Sequence, residues 1–381
     1  MKRTSDPWTL VIGVSAANAV GIVPGAIPAF LVGGLMDDLG FSAVDAGALG
    51  TIELISIAGA SILAAPFMAR LSAVRVAFCG GFLTVGAHLV SALLESFWPL
   101  AVARFAAGVG EGLALAAAST TAAAARDPDR LYGFAMASFM GTMVLLTPGL
   151  APVIEAQGIA AGYVTLGCFY LLLVPFFGWL GRAERKPVEA TSEAPPLPRG
   201  QLVLVMSVMI LFGLGPGPVG SFMERIGVQI GMTAERIGQF YSMAMAAGLA
   251  ASILAGRLGV RFGRTRPISL VMLVQAGACL GFGFVSGELL YLGVILLFLG
   301  SYMFLNTYLF ATVAVFDPAG RVGPAAVGSF MLVFGLGPML GGALITWGSY
   351  VMLGWFAVAV LGLGALLVLA FGDFLNRLDA R

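Results

Sequence analysis

Twelve apolar stretches follow one another along the chain, and they constrain its fold more than any other feature of the sequence. A helix needs about 20 mostly apolar residues to cross a bilayer. Lipid offers no hydrogen-bond partner to backbone amides, and these stretches are too long for barrel strands, so we expect twelve transmembrane helices. The stretches lie at roughly 9–35, 44–69, 75–94, 97–124, 131–154, 159–181, 201–222, 234–258, 267–286, 289–314, 323–346 and 350–374.

The low charge content also indicates a membrane protein. Only 10% of the residues are charged and 59% are hydrophobic, whereas a soluble protein carries about 25% charged residues. The deficit extends along the whole chain, which excludes a soluble enzyme of this length. The net charge of +1 gives no reason to expect nucleic acid as a partner. Cys79, Cys168 and Cys279 lie far apart in apolar segments, which is typical of small hydrophobic residues and not of a disulfide or metal set.

One polar segment divides the twelve stretches into two groups of six. Residues 182–200 read RAERKPVEATSEAPPLPRG and contain four of the nineteen prolines and seven charged side chains. This composition is typical of a flexible or partly extended linker and cannot cross a membrane. We therefore expect an N-terminal six-helix bundle at 1–181, a cytoplasmic linker at 182–200 and a C-terminal six-helix bundle at 201–381.

The basic residues predict the orientation of the chain in the membrane. With the N-terminus inside, cytoplasmic segments contain seventeen of the twenty lysines and arginines, and external loops contain only Arg225 and Arg236. The remaining basic residue, Arg104, lies inside the fourth apolar stretch. Because positive residues concentrate on the cytoplasmic side, we expect both termini in the cytoplasm. The chain is expected to be a monomeric, multi-pass protein of the cytoplasmic (inner) membrane of a bacterium.

The two halves of the sequence resemble each other at an offset of 190 to 192 residues. A duplicated set of six helices gives both halves the same membrane orientation. The halves are then expected to be related by an axis along the membrane normal, with a central site between them. The four matches are ASILAA at 60–65 with ASILAG at 251–256, GIVPGAIPAF at 21–30 with GLGPGPVGSF at 213–222, Asp127-Pro128 with Asp317-Pro318, and Pro148 with Pro338.

Three short motifs add to this pattern. The loop after the eighth stretch reads GRLGVRFGRTRP at 256–267, the fourth stretch contains RFAAGVGEG at 104–112, and the eleventh contains GLGPMLGG at 335–342. With twelve spans in two halves, these motifs resemble the major facilitator superfamily of secondary transporters over the whole chain. The resemblance implies an all-α membrane protein of two six-helix bundles related by pseudo-two-fold symmetry. It also implies a conformational or gating role for Gly256, Arg261, Gly263, Arg264, Pro148 and Pro338.

The sequence departs from that family pattern at two places. The loop after the second stretch keeps only Arg70 and Arg75, and Ala69 and Val260 stand where the family usually has an acidic residue. The fifth stretch reads LLTPGLAP at 145–152 and keeps only part of the proline motif. In the family a full version of that motif tends to accompany proton-driven exporters, so the partial version favours export over uptake only weakly.

Charged side chains inside the predicted spans form the candidate site. A charge in a span costs about 2.5–3.5 kcal/mol on insertion scales, so a partner or water must compensate it. Arg104 and Glu111 lie seven residues apart, on one face of their helix. Counting from the outer helix ends places Glu53 of the second stretch and His88 of the third at the depth of Arg104. We therefore expect Glu53 and Arg104 to pair, either as a functional or as a purely structural ion pair.

Glu111 is predicted to lie deeper, near the bilayer midplane, without a basic residue at its own level. A buried carboxyl that lacks a cation partner can hold a proton near neutral pH. We therefore expect Glu111 to carry the coupling proton, with Glu53 as the second candidate and Arg104 modulating whichever acid it approaches. His88, the single histidine, is either a satisfied polar residue or a proton relay.

The resemblance implies a central cavity lined by helices 1, 4, 7 and 10. Tyr302 and Asn306 lie four residues apart and so share one helix face. A mostly apolar cavity with a few hydrogen-bonding groups, aromatic rings and one arginine suits a small amphipathic solute that is aromatic or carboxylated. The candidate cavity residues are Asn18, His88, Gln275, Tyr302, Asn306 and Tyr308.

These observations favour a transporter over an enzyme. The sequence has one histidine and lacks the H-E-x-x-H and G-x-S-x-G motifs, and it has no phosphate-binding loop for a nucleotide. We expect no catalytic residues, no metal and no cofactor beyond a proton gradient. The expected function is proton-coupled transport of a small organic solute by alternating access, with export favoured. The alternatives are a proton-coupled uptake symporter for an organic acid and, in another class, a non-transporting membrane sensor or scaffold.

Overall fold

The regular structure of the chain is helical. The computed structural model describes residues 7–68, 70–182, 199–258, 261–316 and 323–372, and no strand occurs in these ranges. The chain divides into two compact units, of which the first comprises Met1–Phe41 with Ala48–Ala190 and the second comprises Ser42–Gly47 with Thr191–Arg381. Helices are expected wherever the surroundings are lipid, because a helix satisfies its own backbone hydrogen bonds.

Six α-helices precede the linker and eight follow it within the described ranges. The first group is α1 (Trp8–Ile22), α2 (Pro28–Asp38), α3 (Ala43–Ala64), α4 (Ala73–Ser91), α5 (Phe97–Ala123) and α6 (Pro128–Leu173). The second group is α7 (Arg199–Leu214), α8 (Pro216–Gln229), α9 (Ala234–Leu258), α10 (Thr265–Gly281), α11 (Glu288–Phe316), α12 (Gly323–Gly335), α13 (Gly337–Trp347) and α14 (Tyr350–Phe371). Short 3-10 segments lie at Val23–Gly25, Ala65–Phe67, Val174–Arg182 and Phe282–Phe284.

The described helices contain eleven segments that are long and apolar enough to cross a membrane. One of them, Arg130–Gly181, has 52 residues and would be about 78 Å long as one straight helix, more than twice the thickness of a bilayer core. Its backbone leaves the helical conformation at Gly158, where φ is 82°. The segment therefore supplies two passes, and the chain is a multi-pass membrane protein with the twelve passes predicted from its sequence.

An aspartate from a distant helix caps the sixth pass where it begins. The backbone N–H of Ile159 donates to the carboxylate Oδ2 of Asp38, at the end of α2, with a distance of 2.5 Å. The first N–H groups of a helix have no partner inside the helix, and a carboxylate also interacts favourably with the positive end of the helix dipole. Asp38 therefore joins α2 to the turn at Gly158.

Prolines break the first and seventh passes at matching places. The first pass is interrupted between α1 and α2 by the 3-10 segment that contains Pro24, and the seventh at Gly215, directly before Pro216. Proline lacks an N–H donor and its ring clashes with the preceding turn, so it interrupts a helix ladder. Pro24 and Pro216 are paired in the predicted sequence repeat, so the two copies share this break.

The fifth and eleventh passes also carry paired prolines, but only one of the two helices is interrupted there. The eleventh pass breaks at Leu336, directly before α13, whose second residue is Pro338. In contrast, α6 continues through Pro148 and Pro152.

Several sequence predictions fall outside the described residues. Most of the predicted linker (183–198), the Asp317-Pro318 repeat and the loop positions Ala69 and Val260 belong to this part of the chain. The bundle boundaries at 181 and 201 therefore remain a prediction.

Candidate functional site

The buried charges of the first unit meet where three helices approach one another closely. On one side of α5, Gly108 lies against the backbone of α3, so that an added methyl group would clash with the carbonyl oxygen of Glu53. On another side, Gly110 lies against Gly80 and Thr84 of α4. The small residues of the RFAAGVGEG motif thus let α5 contact both neighbours, in the manner of small residues in membrane helix pairs.

Arg104 lies at the centre of this contact and is 1% exposed. Its Nη1 donates to Glu53 Oε1 at 3.1 Å, and its Nη2 donates to Ser91 Oγ at 2.6 Å and to the carbonyl oxygen of Ala87 at 3.3 Å. The ring of Tyr163 lies 4.5 Å from the guanidinium carbon. A buried charge is tolerated when an opposite charge and hydrogen bonds compensate it. The predicted Glu53–Arg104 pair is present.

The partners of His88 define which of its ring nitrogens carries the hydrogen. Nδ1 lies 3.0 Å from the carbonyl oxygen of Thr84, and Nε2 lies 3.3 Å from Arg104 Nη1. A carbonyl only accepts and a guanidinium only donates, so Nδ1 carries the hydrogen and Nε2 accepts from Arg104. A second proton on Nε2 would bring two cations together in a buried site. This geometry favours the interpretation of His88 as a satisfied polar residue that holds Arg104.

Glu111 joins this cluster from one side without a hydrogen bond. It is fully buried, and neither carboxyl oxygen has a partner among the described residues. One carboxyl oxygen each of Glu53 and Glu111 and one ring nitrogen of His88 lie within 4.8 Å of one another. The sequence predicted that Glu111 lies two helical turns from Arg104, deeper in the membrane. Its carboxyl nevertheless reaches the same group of residues, because helical side chains lean toward the helix N-terminus, where Arg104 lies.

Several other buried polar atoms of the first unit have no partner within the described ranges. They are Ser15 Oγ, Asn18 Nδ2, Thr84 Oγ1, Arg104 Nε and the hydroxyls of Tyr163 and Tyr170. The rings of Tyr170 and Tyr163 lie edge-on to His88, with centroids at 5.0 Å and 6.3 Å. Buried polar groups without partners are rare and call for an explanation. Two of them lie beside Glu111: Tyr170 is close enough to interact with its charge, and Thr84 packs against the neighbouring Gly110.

The same three residues could in principle ligate a cation. Glu53, His88 and Glu111 offer two carboxylates and an imidazole, which are metal-ligand types. Arg104 Nη1, however, lies 3.1 Å from Glu53 Oε1 and 3.3 Å from His88 Nε2, and these two atoms are 3.9 Å apart. The guanidinium therefore takes the place that an ion would need between them. The expectation that no metal is bound remains a prediction.

Asn18 lies near the same region of the first unit, on α1. It is 5% exposed. Gly21, one turn further along α1, is so close to α5 that an added methyl group would lie 2.5 Å from Leu115 Cβ and 3.1 Å from the carbonyl oxygen of Glu111. The first pass therefore packs against the backbone that carries Glu111.

The second unit contains a group of four aromatic rings in mutual contact, which we call the aromatic panel: Phe212, Tyr302, Phe330 and Phe334. The centroid distances are 5.4 Å for Phe212–Tyr302 and for Phe212–Phe330, 5.8 Å for Phe330–Phe334 and 6.2 Å for Tyr302–Phe334. The interplanar angles are between 20° and 30°. Phe212 and Phe330 are buried, whereas Tyr302 and Phe334 are half-buried. Asn306, one turn from Tyr302, is also half-buried.

Two other predicted cavity residues form contacts inside the second unit. Gln275 is fully buried; its Oε1 accepts from the Ser301 hydroxyl, and its Nε2 donates to Cys279 Sγ at 3.8 Å. Tyr308 is 4% exposed and its hydroxyl donates to the carbonyl oxygen of Gly263 at 3.4 Å. Gln275 therefore joins α10 to α11, and Tyr308 joins α11 to the loop before α10.

The predicted gating loop packs onto α11 through one of its arginines. Arg264 is 6% exposed and its Nη1 donates to Thr312 Oγ1 at 3.0 Å. Gly263 has a φ of +68°, a conformation that favours glycine. Gly256 and Arg261 are exposed. Of the two predicted gating prolines, Pro148 is half-buried and Pro338 is buried.

Sequence reasoning missed four residues that contact these groups: Ser91, Tyr163, Tyr170 and Thr312. Tyr163 and Tyr170 are seven residues apart, the same spacing as Arg104 and Glu111, so they share a face of the sixth pass. That spacing could have predicted that both tyrosines face the same group of residues. Ser91 and Thr312 carry no comparable signal, because serine and threonine in membrane helices usually bond to their own helix backbone.

Comparisons with known proteins agree with this architecture. No curated protein matches the sequence significantly. The fold is similar to a bacterial homolog of the human lysosomal transporter Spinster, in an inward-facing and unoccupied conformation (13% identity, 98% of each chain covered, TM-score 0.73). It is also similar to a D-xylose-proton symporter (14% identity, 96% of this chain and 97% of the other, TM-score 0.75) and to the nucleoside transporter NupG (13% identity, 95% and 99%, TM-score 0.69).

Identities at this level show a shared fold and no more. The sequence itself matches the profile of the Major Facilitator Superfamily over residues 9–333, which is most of the chain. This match agrees with the twelve passes and with the three motifs, which lie in the fourth pass, in the loop after the eighth pass and in the eleventh pass. The chain therefore belongs to the major facilitator superfamily, a family of membrane transporters.

Proposed function

We propose that this transporter couples the movement of a small organic solute to a proton carried by Glu111. The observation that carries the proposal is the surroundings of this carboxyl: it is fully buried and has no hydrogen-bond partner among the described residues, beside an acid that is already paired with Arg104.

The charge balance of the cluster supports one bound proton. Glu53 and Arg104 compensate each other, and His88 is neutral in the form that its partners require. An ionised Glu111 would leave one net negative charge in a buried site, and burying an uncompensated ion costs several kcal/mol. Taking up one proton removes that charge without disturbing the Glu53–Arg104 pair. The cluster therefore favours one proton when it is closed to water.

The neighbouring hydroxyls support reversible proton binding. Tyr170 lies close enough to Glu111 to interact with its charge, and its hydroxyl and that of Thr84 have no partner in the described part of the chain. These groups can donate hydrogen bonds to an ionised Glu111 when the pathway opens to water, which lowers the cost of releasing the proton. A conformational change that alternates water access would then couple proton release to solute movement.

The class of solute and the direction of transport are inferred from residues outside the charged cluster. The half-buried Tyr302 and Asn306, with aromatic neighbours, suit a small amphipathic solute that is aromatic or carboxylated. The partial proline motif around Pro148 favours export. One protein of similar fold is a proton symporter for a sugar, but the likeness concerns the fold. We place the protein in the cytoplasmic membrane of a bacterium with both termini in the cytoplasm, as its basic residues predict.

The test uses purified protein in lipid vesicles loaded with a pH-sensitive dye. A set of aromatic acids and amines is added outside, and both the dye signal and the solute content are followed. We expect at least one solute to move together with protons in the wild type. Glu111→Gln should still exchange that solute but without a pH change, whereas Glu224→Gln, a buried carboxyl of the second unit, should behave as the wild type.

Three outcomes would contradict the proposal. Solute movement without any pH change in the wild type would remove proton coupling. Full coupling in Glu111→Gln would remove this residue from the mechanism. Binding of solutes without movement of any of them would favour the alternative of a membrane sensor.

A further inference from the structure

We propose that the aromatic panel binds the planar ring of an aromatic solute and thereby determines the substrate class. The inference rests on the proposed function, because it assigns a solute to the same transporter. In this arrangement the ring lies against the half-exposed faces of Tyr302 and Phe334, and Asn306 forms a hydrogen bond with a polar substituent.

The aromatic panel lies at the middle of the membrane passes that carry it. Tyr302 is the middle residue of α11, Phe212 lies three residues before the break at Gly215, and Phe334 lies two residues before the break at Leu336. Three passes thus bring their central parts to one place. Substrate sites of secondary transporters lie near the bilayer midplane, so the panel has the depth of such a site.

The accessible side of the panel is polar as well as aromatic. Tyr302 and Asn306 share one face of α11 and are both half-buried. Polar side chains in membrane helices face the bundle interior or a water-filled path and avoid hydrocarbon. The α11 residues that contact lipid are instead expected to be exposed leucines such as Leu297. The accessible side of the panel therefore faces a polar path.

The rings of the panel are nearly parallel where they are in contact. Four rings from three helices are inclined to one another by no more than 30°, although aromatic pairs in protein cores also adopt edge-to-face contacts. The buried pair, Phe212 and Phe330, supports the half-buried pair from behind. A flat ring can lie with its face against one of these nearly parallel rings, whereas a saturated ring of the same size cannot.

The experiment measures binding to purified, detergent-solubilised protein with two matched pairs of probes. Benzoate is compared with cyclohexanecarboxylate, and benzylammonium with cyclohexylmethylammonium, so that charge and size stay constant while the flat ring is lost. A stacked ring contributes about 0.5–1.5 kcal/mol beyond its buried area. We therefore expect the aromatic member of at least one pair to bind about threefold to tenfold more tightly.

Substitutions then test whether the panel causes the tighter binding of the aromatic probes. Phe334→Leu and Tyr302→Leu should remove it, and Tyr302→Phe, which keeps the ring and guards against misfolding of the leucine variant, should retain it. Phe284→Leu is the matched control, since this phenylalanine is 60% exposed and lies outside the panel. Equal binding within both pairs, or a preference that survives Phe334→Leu and Tyr302→Leu, would overturn the inference.

These results are independent of the proton measurement. A lost aromatic preference with intact proton coupling would overturn the panel assignment alone. An intact preference without proton coupling would overturn the proposed energy source and leave the panel assignment standing.

Discussion

At the residue scale, Arg104 forms three hydrogen bonds with groups on α4 and one with an acidic side chain on α3. His88, Ser91 and the carbonyl of Ala87 accept from it on α4, and Glu53 accepts from it on α3. Glu53 is therefore the counter-charge of Arg104, and in the proposed mechanism Glu111 is the acid that titrates. The two glutamates are alike in burial but differ in their partners, so neutralising them should have opposite consequences.

The first prediction compares these two acids. Glu53→Gln leaves a buried guanidinium without its counter-charge and should destabilise the protein by about 3–5 kcal/mol. Glu111→Gln removes no ion pair, and its amide can still donate to the neighbouring Glu53 carboxylate, so stability should be unchanged or higher. Thermal unfolding in detergent, followed by intrinsic fluorescence, measures the difference. A larger loss of stability in Glu111→Gln than in Glu53→Gln would contradict the assignment of Glu53 as the counter-charge of Arg104.

The second prediction concerns His88 as an acceptor for Arg104. His88→Leu removes the acceptor and should lower stability by about 1–3 kcal/mol, whereas His88→Gln can keep an acceptor and should lose less. The neighbouring Leu89→Ala, at an exposed position, serves as the control. Proton-coupled transport should persist in His88→Gln. Complete loss of coupling in this variant, with stability retained, would instead support a proton relay.

At the scale of elements, glycines and one capping carboxylate position the helices that carry the cluster. Gly108 permits contact between α3 and α5, and Asp38 joins α2 to the start of the sixth pass. Neither residue takes part in the proposed chemistry. Their loss should therefore change stability and the geometry of the cluster without removing a charged group from it.

The third prediction concerns the contact at Gly108. Gly108→Ala places a methyl group against the carbonyl oxygen of Glu53 and should destabilise the protein by about 1–3 kcal/mol through overpacking. Gly59→Ala is the matched control in α3, because within the described ranges nothing beyond its own stretch of helix backbone lies within 4 Å of its added methyl group. The melting temperatures of the two variants measure this difference in stability. Equal stability of both would mean that α3 and α5 are not in close contact there.

The fourth prediction concerns the cap at Ile159. Asp38→Ala removes the acceptor and should cost about 0.5–2 kcal/mol, as for other helix caps, and Asp38→Asn should retain part of the stability. Glu95→Ala, an exposed carboxylate, controls for the loss of a surface charge. Protease sensitivity of the turn around Gly158 should increase in Asp38→Ala only. Unchanged melting and cleavage would argue against the cap.

At the scale of the whole molecule, the sequence predicted what local composition determines. Apolar length defined the twelve passes, and counting along helices brought Glu53 to Arg104. These features depend on hydrophobicity and helix geometry alone. The placement of Gln275 and Tyr308 inside the second unit could not be predicted, since it depends on contacts with Ser301 and Gly263 that only the packed helices create.

The central claim is that Glu111 binds and releases the proton. Infrared difference spectroscopy of the purified protein during a pH titration tests it without a known substrate, because a protonated carboxyl has its own C=O stretching band. We expect a band that disappears as the pH is raised in the wild type and in Glu224→Gln, and that is missing from Glu111→Gln. The same band persisting in Glu111→Gln would contradict the claim.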